Sequence, residues 1–147
     1  MLNQDFKEFF ESLNANQVRY LVIGGYAVAF HGHPRYTKDI DVWIEMSAEN
    51  ADRIIKALSD FGFGSLDFKP DDFLKPDQII QLGYEPGRID ILTTIPGVNF
   101  AECHPKHIMV TANGVEITVI DLENLIRSKK ASGRLQDLAD VEDLDGG

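Results

Sequence analysis

The sequence predicts an α/β fold, with helices packed on a sheet that has antiparallel parts. Three observations carry this. Apolar residues recur at helical spacing near the N-terminus, after Ser47 and after Asp121. Short apolar runs of strand length stand between these helices. Two later pairs of runs are joined by Tyr84-Glu85-Pro86-Gly87 and by Ala112-Asn113-Gly114, which read as hairpins. Strands and helices thus mix without alternating throughout, which argues against a doubly wound parallel sheet.

Each element has its own local signal. Phe6, Phe9, Phe10 and Leu13 form one stripe of a helix over Leu2 to Asn14, with Asp5, Lys7, Glu8 and Glu11 opposite. Arg19 to Ile23 is short and continuously apolar, as in a buried strand. Gly25 to Phe30 reads as a short helix of small residues, broken by His31-Gly32-His33-Pro34 because proline disfavours helix before it. Asp39 to Met46 is a second strand. Ser47 then caps a helix with Ala51, Ile54, Ile55 and Leu58 inward, ended by Phe61-Gly62-Phe63-Gly64. Ser65 to Pro76 is rich in Asp, Lys and Pro and reads as a surface connection. The two hairpins follow, with Asn99 to His104 as a helical turn between them. Asp121 caps a helix carrying Leu122, Leu125 and Ile126. Gly133 interrupts it, and Arg134 to Leu144 forms a last helix with Leu135, Leu138 and Val141 expected inward and Asp137 and Asp140 in exposed pairs.

The bulk numbers bound the function. A chain of 147 residues fits one domain, taken as residues 1–147. With 44% hydrophobic and 26% charged residues it is ordinary globular. The net charge of −10 argues against a broad basic face for nucleic acid. Cys103 stands alone, so an internal disulfide is impossible and a reducing cytoplasm is expected. The N-terminus lacks the pattern of a signal peptide, and no apolar run approaches the roughly 18 residues of a membrane span. His31, His33, Cys103, His104 and His107 do not follow the spacing of a closed zinc site.

The stretch from Gly24 to Trp43 holds the chemistry. Gly24 and Gly25 stand between a strand and a helix, where backbone N–H groups can approach a phosphate. Fourteen residues after Gly25, Asp39 and Asp41 lie two apart on a strand. They share one face, with Cα atoms about 6.6 Å apart. Like charges so close need a counter-charge, and a hard divalent cation is the usual one. Asp90, inside the apolar run Ile89-Asp90-Ile91-Leu92, is the candidate third carboxylate, either as general base or as metal ligand. Arg88 shares its face and could balance charge or touch a phosphate.

Gly24, Gly25, Asp39, Asp41 and Asp90 together resemble the pattern of the nucleotidyltransferases of the DNA polymerase β superfamily. The run Arg35-Tyr36-Thr37-Lys38-Asp39-Ile40-Asp41 is similar to that of the small bacterial members found in toxin–antitoxin and phage-defence systems. Leu125 to Asp137, with its lysines and Gly133-Arg134-x-x-Asp137, resembles the helical segment that follows their catalytic sheet. The resemblance spans roughly residues 18 to 144. It implies a nucleotidyltransferase fold, a mixed twisted sheet with flanking helices. It implies transfer of a nucleoside monophosphate from an NTP to a hydroxyl acceptor, with Mg2+ or Mn2+ held by Asp39, Asp41 and Asp90. It further implies triphosphate contacts from Gly24, Gly25, Arg35, Thr37, Lys129 and Arg134. Many members have serine where this chain has Gly25, and there the hydroxyl meets the triphosphate. The acceptor is open: RNA, through a patch of Arg127, Lys129, Lys130 and Arg134, a protein, or a small molecule. The alternative is a catalytically silent module of the same fold, acting as an antitoxin or as a subunit that covers a basic toxin.

Overall fold

A computed structural model describes residues 2–33, 37–63, 66–84 and 86–146. The elements run α1 (Gln4–Ala15), β1 (Tyr20–Ile23), α2 (Gly24–Phe30), β2 (Ile40–Ile44), α3 (Ala48–Leu58), β3 (Ile79–Leu82), β4 (Ile89–Leu92), α4 (Phe100–Cys103), β5 (Ile108–Ala112), β6 (Val115–Val119), α5 (Leu122–Ser132) and α6 (Leu135–Gly146). The strands form one mixed sheet in the order β3-β4-β2-β1-β6-β5. β2 runs antiparallel to β1 and parallel to β4, while β3–β4 and β5–β6 are the two antiparallel hairpins expected. Asn113 and Gly114, with φ of 52° and 80°, make the left-handed two-residue turn that matches strand twist in the second hairpin.

The caps act as the sequence predicts. Ser47 accepts from the Asn50 N–H and Asp121 accepts from the Asn124 N–H, each satisfying a free donor of its helix. One sheet face carries Tyr20, Val22, Ile40, Val42, Ile89 and Ile91, all buried. α1 covers this side through Phe10 against Tyr20 and joins α3 by the Ser12 hydroxyl donating to the Ala57 carbonyl at 2.6 Å. The other face carries Ile23, Asp41, Trp43, Asp90 and Leu92. There Trp43 stacks edge-on with Phe100 and donates Nε1–H to the Thr93 carbonyl at 3.2 Å. Among the described residues no helix is long and apolar enough to cross a membrane.

Three expectations are corrected. The second strand begins at Ile40, so Asp39 stands just outside it. The connection after α3 is not merely superficial: Pro70–Phe73 forms a tight helical turn that buries Phe73 completely. In α6, Leu135 and Leu138 are exposed, at 87% and 41%, whereas Asp137, Asp140, Val141 and Leu144 are buried. Those four positions are themselves one helical stripe, i, i+3, i+4 and i+7. The two aspartates turn inward because Lys129 of α5 meets them there.

Candidate active site

Parallel pairing of β2 with β4 sets Asp41 beside Asp90. The carboxyl of Asp41 is pushed up to about 6, first by burial and then by the charge of Asp90 and a hydrogen bond with it, with Asp39 adding to the effect. Arg88 supplies the local counter-charge. Its Nε and Nη2 donate to the two oxygens of Asp90 at 2.8 and 3.1 Å. Its backbone N–H donates to Asp39 Oδ1 at 3.0 Å, and its guanidinium lies 3.5 Å from Asp39 Oδ2. Arg88 therefore balances charge, one of its two expected roles, and draws Asp39 towards β4.

Gly24 faces the same carboxylates. Its φ is +71°, and a Cβ there would overlap Asp41 Oδ2. Only glycine meets both demands, the left-handed backbone and the close approach. No side chain caps the start of α2. Across from Gly24, Lys129 of α5 is 6% exposed, and its Nζ donates to Asp137 Oδ1 and Asp140 Oδ2, each at 3.0 Å. Ser132 Oγ and Arg134 Nε both donate to Asp137 Oδ2. Burial alone would raise the carboxyl of Asp137, but hydrogen bonds from Ser132 and Lys129, with the Lys129 charge and Arg134, outweigh it and hold it below the usual range.

Two adjoining clefts meet at these residues. One, about 220 Å³, is lined by Gly24, Gly25, Asp41, Lys129, Arg134 and Gln136. The other, about 230 Å³, shares Gly24, Asp41, Lys129 and Arg134 and runs past Asp90 towards Ile79, Gln81 and Leu92. The structure thus brings together Gly24, Gly25, Asp41, Asp90, Lys129 and Arg134. Asp39 stands at the side, held by Arg88. Thr37 donates its hydroxyl to the Asp39 carbonyl at 3.0 Å, shaping the entry to β2. Arg35 lies outside the described residues. His31 has its Nε2 2.8 Å from the Ile120 carbonyl oxygen. The cations of the suggested RNA patch are all engaged: Arg127 with Glu123, Lys129 and Arg134 with Asp137, and Lys130 with Asp145. Sequence reasoning missed Asp137 and Asp140 as partners of Lys129. Their signal was the shared stripe with Val141 and Leu144.

Among the described residues no three His, Cys, Asp or Glu side chains stand as a ready metal cage. The pair Asp41–Asp90 nevertheless fits a hard divalent cation by its chemistry. A half-buried and a buried carboxylate in register supply oxygen donors and excess negative charge, and the lack of a side chain at Gly24 makes room for Asp41 Oδ2.

The family described as "Nucleotidyltransferase of unknown function (DUF6036)" matches residues 1–145. The chain belongs to this family. A search of the curated proteins by sequence finds no match. Solved structures share the fold. TM1012 of Thermotoga maritima, assigned as a nucleotidyltransferase, superposes with a TM-score of 0.60 at 18% identity, over 96% of this chain and 88% of its own. The lincosamide antibiotic adenylyltransferase LnuA, solved with lincomycin bound, gives 0.57 at 15% identity, over 99% and 97%. An antigenic nucleotidyltransferase-like protein from Paracoccidioides brasiliensis gives 0.55 at 14% identity, over 97% and 77%. At these identities the likeness establishes the fold: this is a nucleotidyltransferase fold built on a mixed sheet, as the motifs implied.

Proposed function

We propose that this member of the nucleotidyltransferase family moves a nucleoside monophosphate from an NTP to a hydroxyl acceptor. The observation that carries the reading is the pair Asp41–Asp90, set in register at a cleft that Gly24 and Lys129 also line. Gly24 and Gly25 border the triphosphate side, with Lys129 and Arg134 as its cations. Lys129, clamped by Asp137 and Asp140, is held in one position instead of searching for it, which reduces the entropy lost on binding. Asp41 and Asp90, with Asp39 once Arg88 releases it, would hold Mg2+ or Mn2+. When bound, that ion supplies charge stabilisation on the phosphates and a lower pKa for the attacking hydroxyl. Asp90 would take the hydroxyl proton. What supports this reading over a silent module of the same fold is the raised carboxyl of Asp41 beside Asp90 in a cleft, the kind of perturbed pair that functional sites hold.

The test is calorimetric titration of ATP and GTP in Mg2+ into the wild type and into the double variant Asp39→Ala/Asp41→Ala. At least tenfold weaker binding by the variant is expected. Equal binding by both proteins would sink the assignment.

A further inference from the structure

We propose that the Asp90 end of the cleft is the acceptor subsite, that it takes a small hydroxyl-bearing molecule with an apolar portion, and that Ile79 and Gln81 of β3 select it. This rests on the nucleotidyl-transfer reading above. The two adjoining clefts differ in chemistry. Gly25 and Gln136 line only the first, and Asp90, Gln81 and Ile79 line only the second. If the triphosphate occupies the end with the glycines and cations, the group that meets Asp90 is the attacking hydroxyl, and the body of that molecule extends along β3.

Antiparallel pairing sets Gln81 opposite Asp90 and Ile79 opposite Leu92. Ile79 and Gln81 are two apart on one strand, so both present to the same face. Beyond Asp90 the walls are Ile79, Leu92, Ile95 and Pro96, all apolar. Gln81 is the polar residue of the β3 wall, with Ser128 and Ser132 of α5 also lining the cleft, and its amide can donate to and accept from a second hydroxyl. Ile79 is 59% exposed on the edge strand, an exposed apolar side chain beside an apolar wall. The second cleft, about 230 Å³, is below the usual size of a drug-sized pocket.

Charge argues against a polynucleotide. A nucleic-acid acceptor draws its affinity from lysines and arginines on phosphates. Among the described residues, the cations lining this cleft are Lys129 and Arg134, both at the end shared with the triphosphate side. The chain as a whole carries −10.

The step balances without a further reactant. The acceptor oxygen bonds to the α-phosphorus of the NTP, and its proton passes to the Asp90 carboxylate. The bond from that phosphorus to the bridging oxygen breaks, and pyrophosphate leaves with the electron pair.

The test is NMR of the full 15N-labelled chain with Mg2+ and a non-hydrolysable ATP analogue. Phenyl β-D-glucoside, which has hydroxyls and one apolar ring, is added as the probe. A 12-nucleotide single-stranded RNA is added separately. Expected are saturable shifts at Ile79, Gln81 and Leu92 with the glucoside, weakened at least tenfold by Ile79→Arg and by Gln81→Ala. Both variants sit on an exposed edge strand, and a dispersed amide spectrum verifies that each is folded. No shift with the glucoside, undiminished shifts in both variants, or RNA displacing the glucoside from these residues overturns the proposal. The analogue reports separately through Gly24 and Gly25. Its failure to shift them would overturn the nucleotidyl-transfer reading, while the glucoside result would still speak for or against the subsite.

Discussion

Asp41 and Asp90 sit in register on adjacent parallel strands, and the carboxyl of Asp41 is pushed up to about 6 as a result of burial and of that neighbour. A raised folded pKa means that the native state holds the proton more tightly than the unfolded chain. The stabilisation is fully present below about 3.8, the ordinary value, and is lost as pH rises through about 6. The metal-free protein is therefore expected to gain thermal stability as pH falls from 7 towards 4. At about 1.4 kcal/mol per pKa unit, this site contributes at most about 3 kcal/mol. Melting temperatures across pH, with EDTA present, test this. Asp41→Asn should flatten the rise and be the more stable protein at pH 8. A variant with the same slope as the wild type would refute the assignment.

Gly24→Ala tests the approach of the glycine to the carboxylate. An alanine at φ of +71° costs about 1–2 kcal/mol in backbone strain, and its Cβ must also displace Asp41. A loss of about 2–4 kcal/mol in a urea titration is expected, together with at least tenfold weaker Mg-ATP binding. Gly25→Ala is the comparison, since Gly25 has helical backbone without a positive φ, so alanine brings no left-handed strain there. Equal losses at the two glycines would mean that the approach to Asp41 is not what matters.

These two predictions use parts of the site that local sequence signals announce. Gly-Gly after an apolar run, Asp-x-Asp leading another, and the caps Ser47 and Asp121 are each readable within a few residues. Asn113-Gly114 fixed the register of its hairpin for the same reason. Other features depend on partners outside their own element. Asp137 and Asp140 carry charges that helices usually expose, so the pattern alone turns Leu135 and Leu138 inward with Val141. The buried ammonium of Lys129, together with Val141 and Leu144 on the same stripe, sets the rotation of α6. Phe73 lies in a segment of Asp, Lys and Pro, and one aromatic gives no periodicity to detect. The hold of Arg88 on Asp39 requires the β2–β4 pairing, which the sequence does not display.

The Lys129 cluster yields a prediction with the opposite pH sign. Removing the lysine leaves Asp137 and Asp140 buried without their main counter-charge. Lys129→Met is expected to cost about 3–5 kcal/mol in urea denaturation. Hydrogen bonds from Ser132 and Lys129 overcome burial and hold the Asp137 carboxyl below 3.8. Its stabilising contribution is therefore present above that pH and is lost as pH falls through the lowered folded value. Acid unfolding should accordingly set in below about pH 4. In Asp137→Asn that acid limb should be shallower, and an unchanged limb would count against the cluster.

Arg88 gives the sharpest test of a metal at this site, because it already occupies the role a cation would take. Its guanidinium and backbone engage both Asp39 and Asp90, so a divalent ion must compete with it for both carboxylates. Arg88→Met removes the competitor and leaves Asp39, Asp41 and Asp90 with uncompensated charge. In EDTA the variant is expected to be less stable than the wild type by about 2–4 kcal/mol, the usual cost of stripping a partner from partly buried charges. With 10 mM Mg2+ the order of the responses reverses. An ion that binds only the folded state stabilises in proportion to the logarithm of its concentration over its Kd. The carboxylates freed of Arg88 should bind it more tightly, so Mg2+ should raise the melting temperature of Arg88→Met more than that of the wild type. NTP binding need not follow, since Asp39 would then be positioned by the ion alone. A variant that Mg2+ stabilises no more than it does the wild type would show that Arg88, and not a metal, is the lasting counter-charge of these three aspartates.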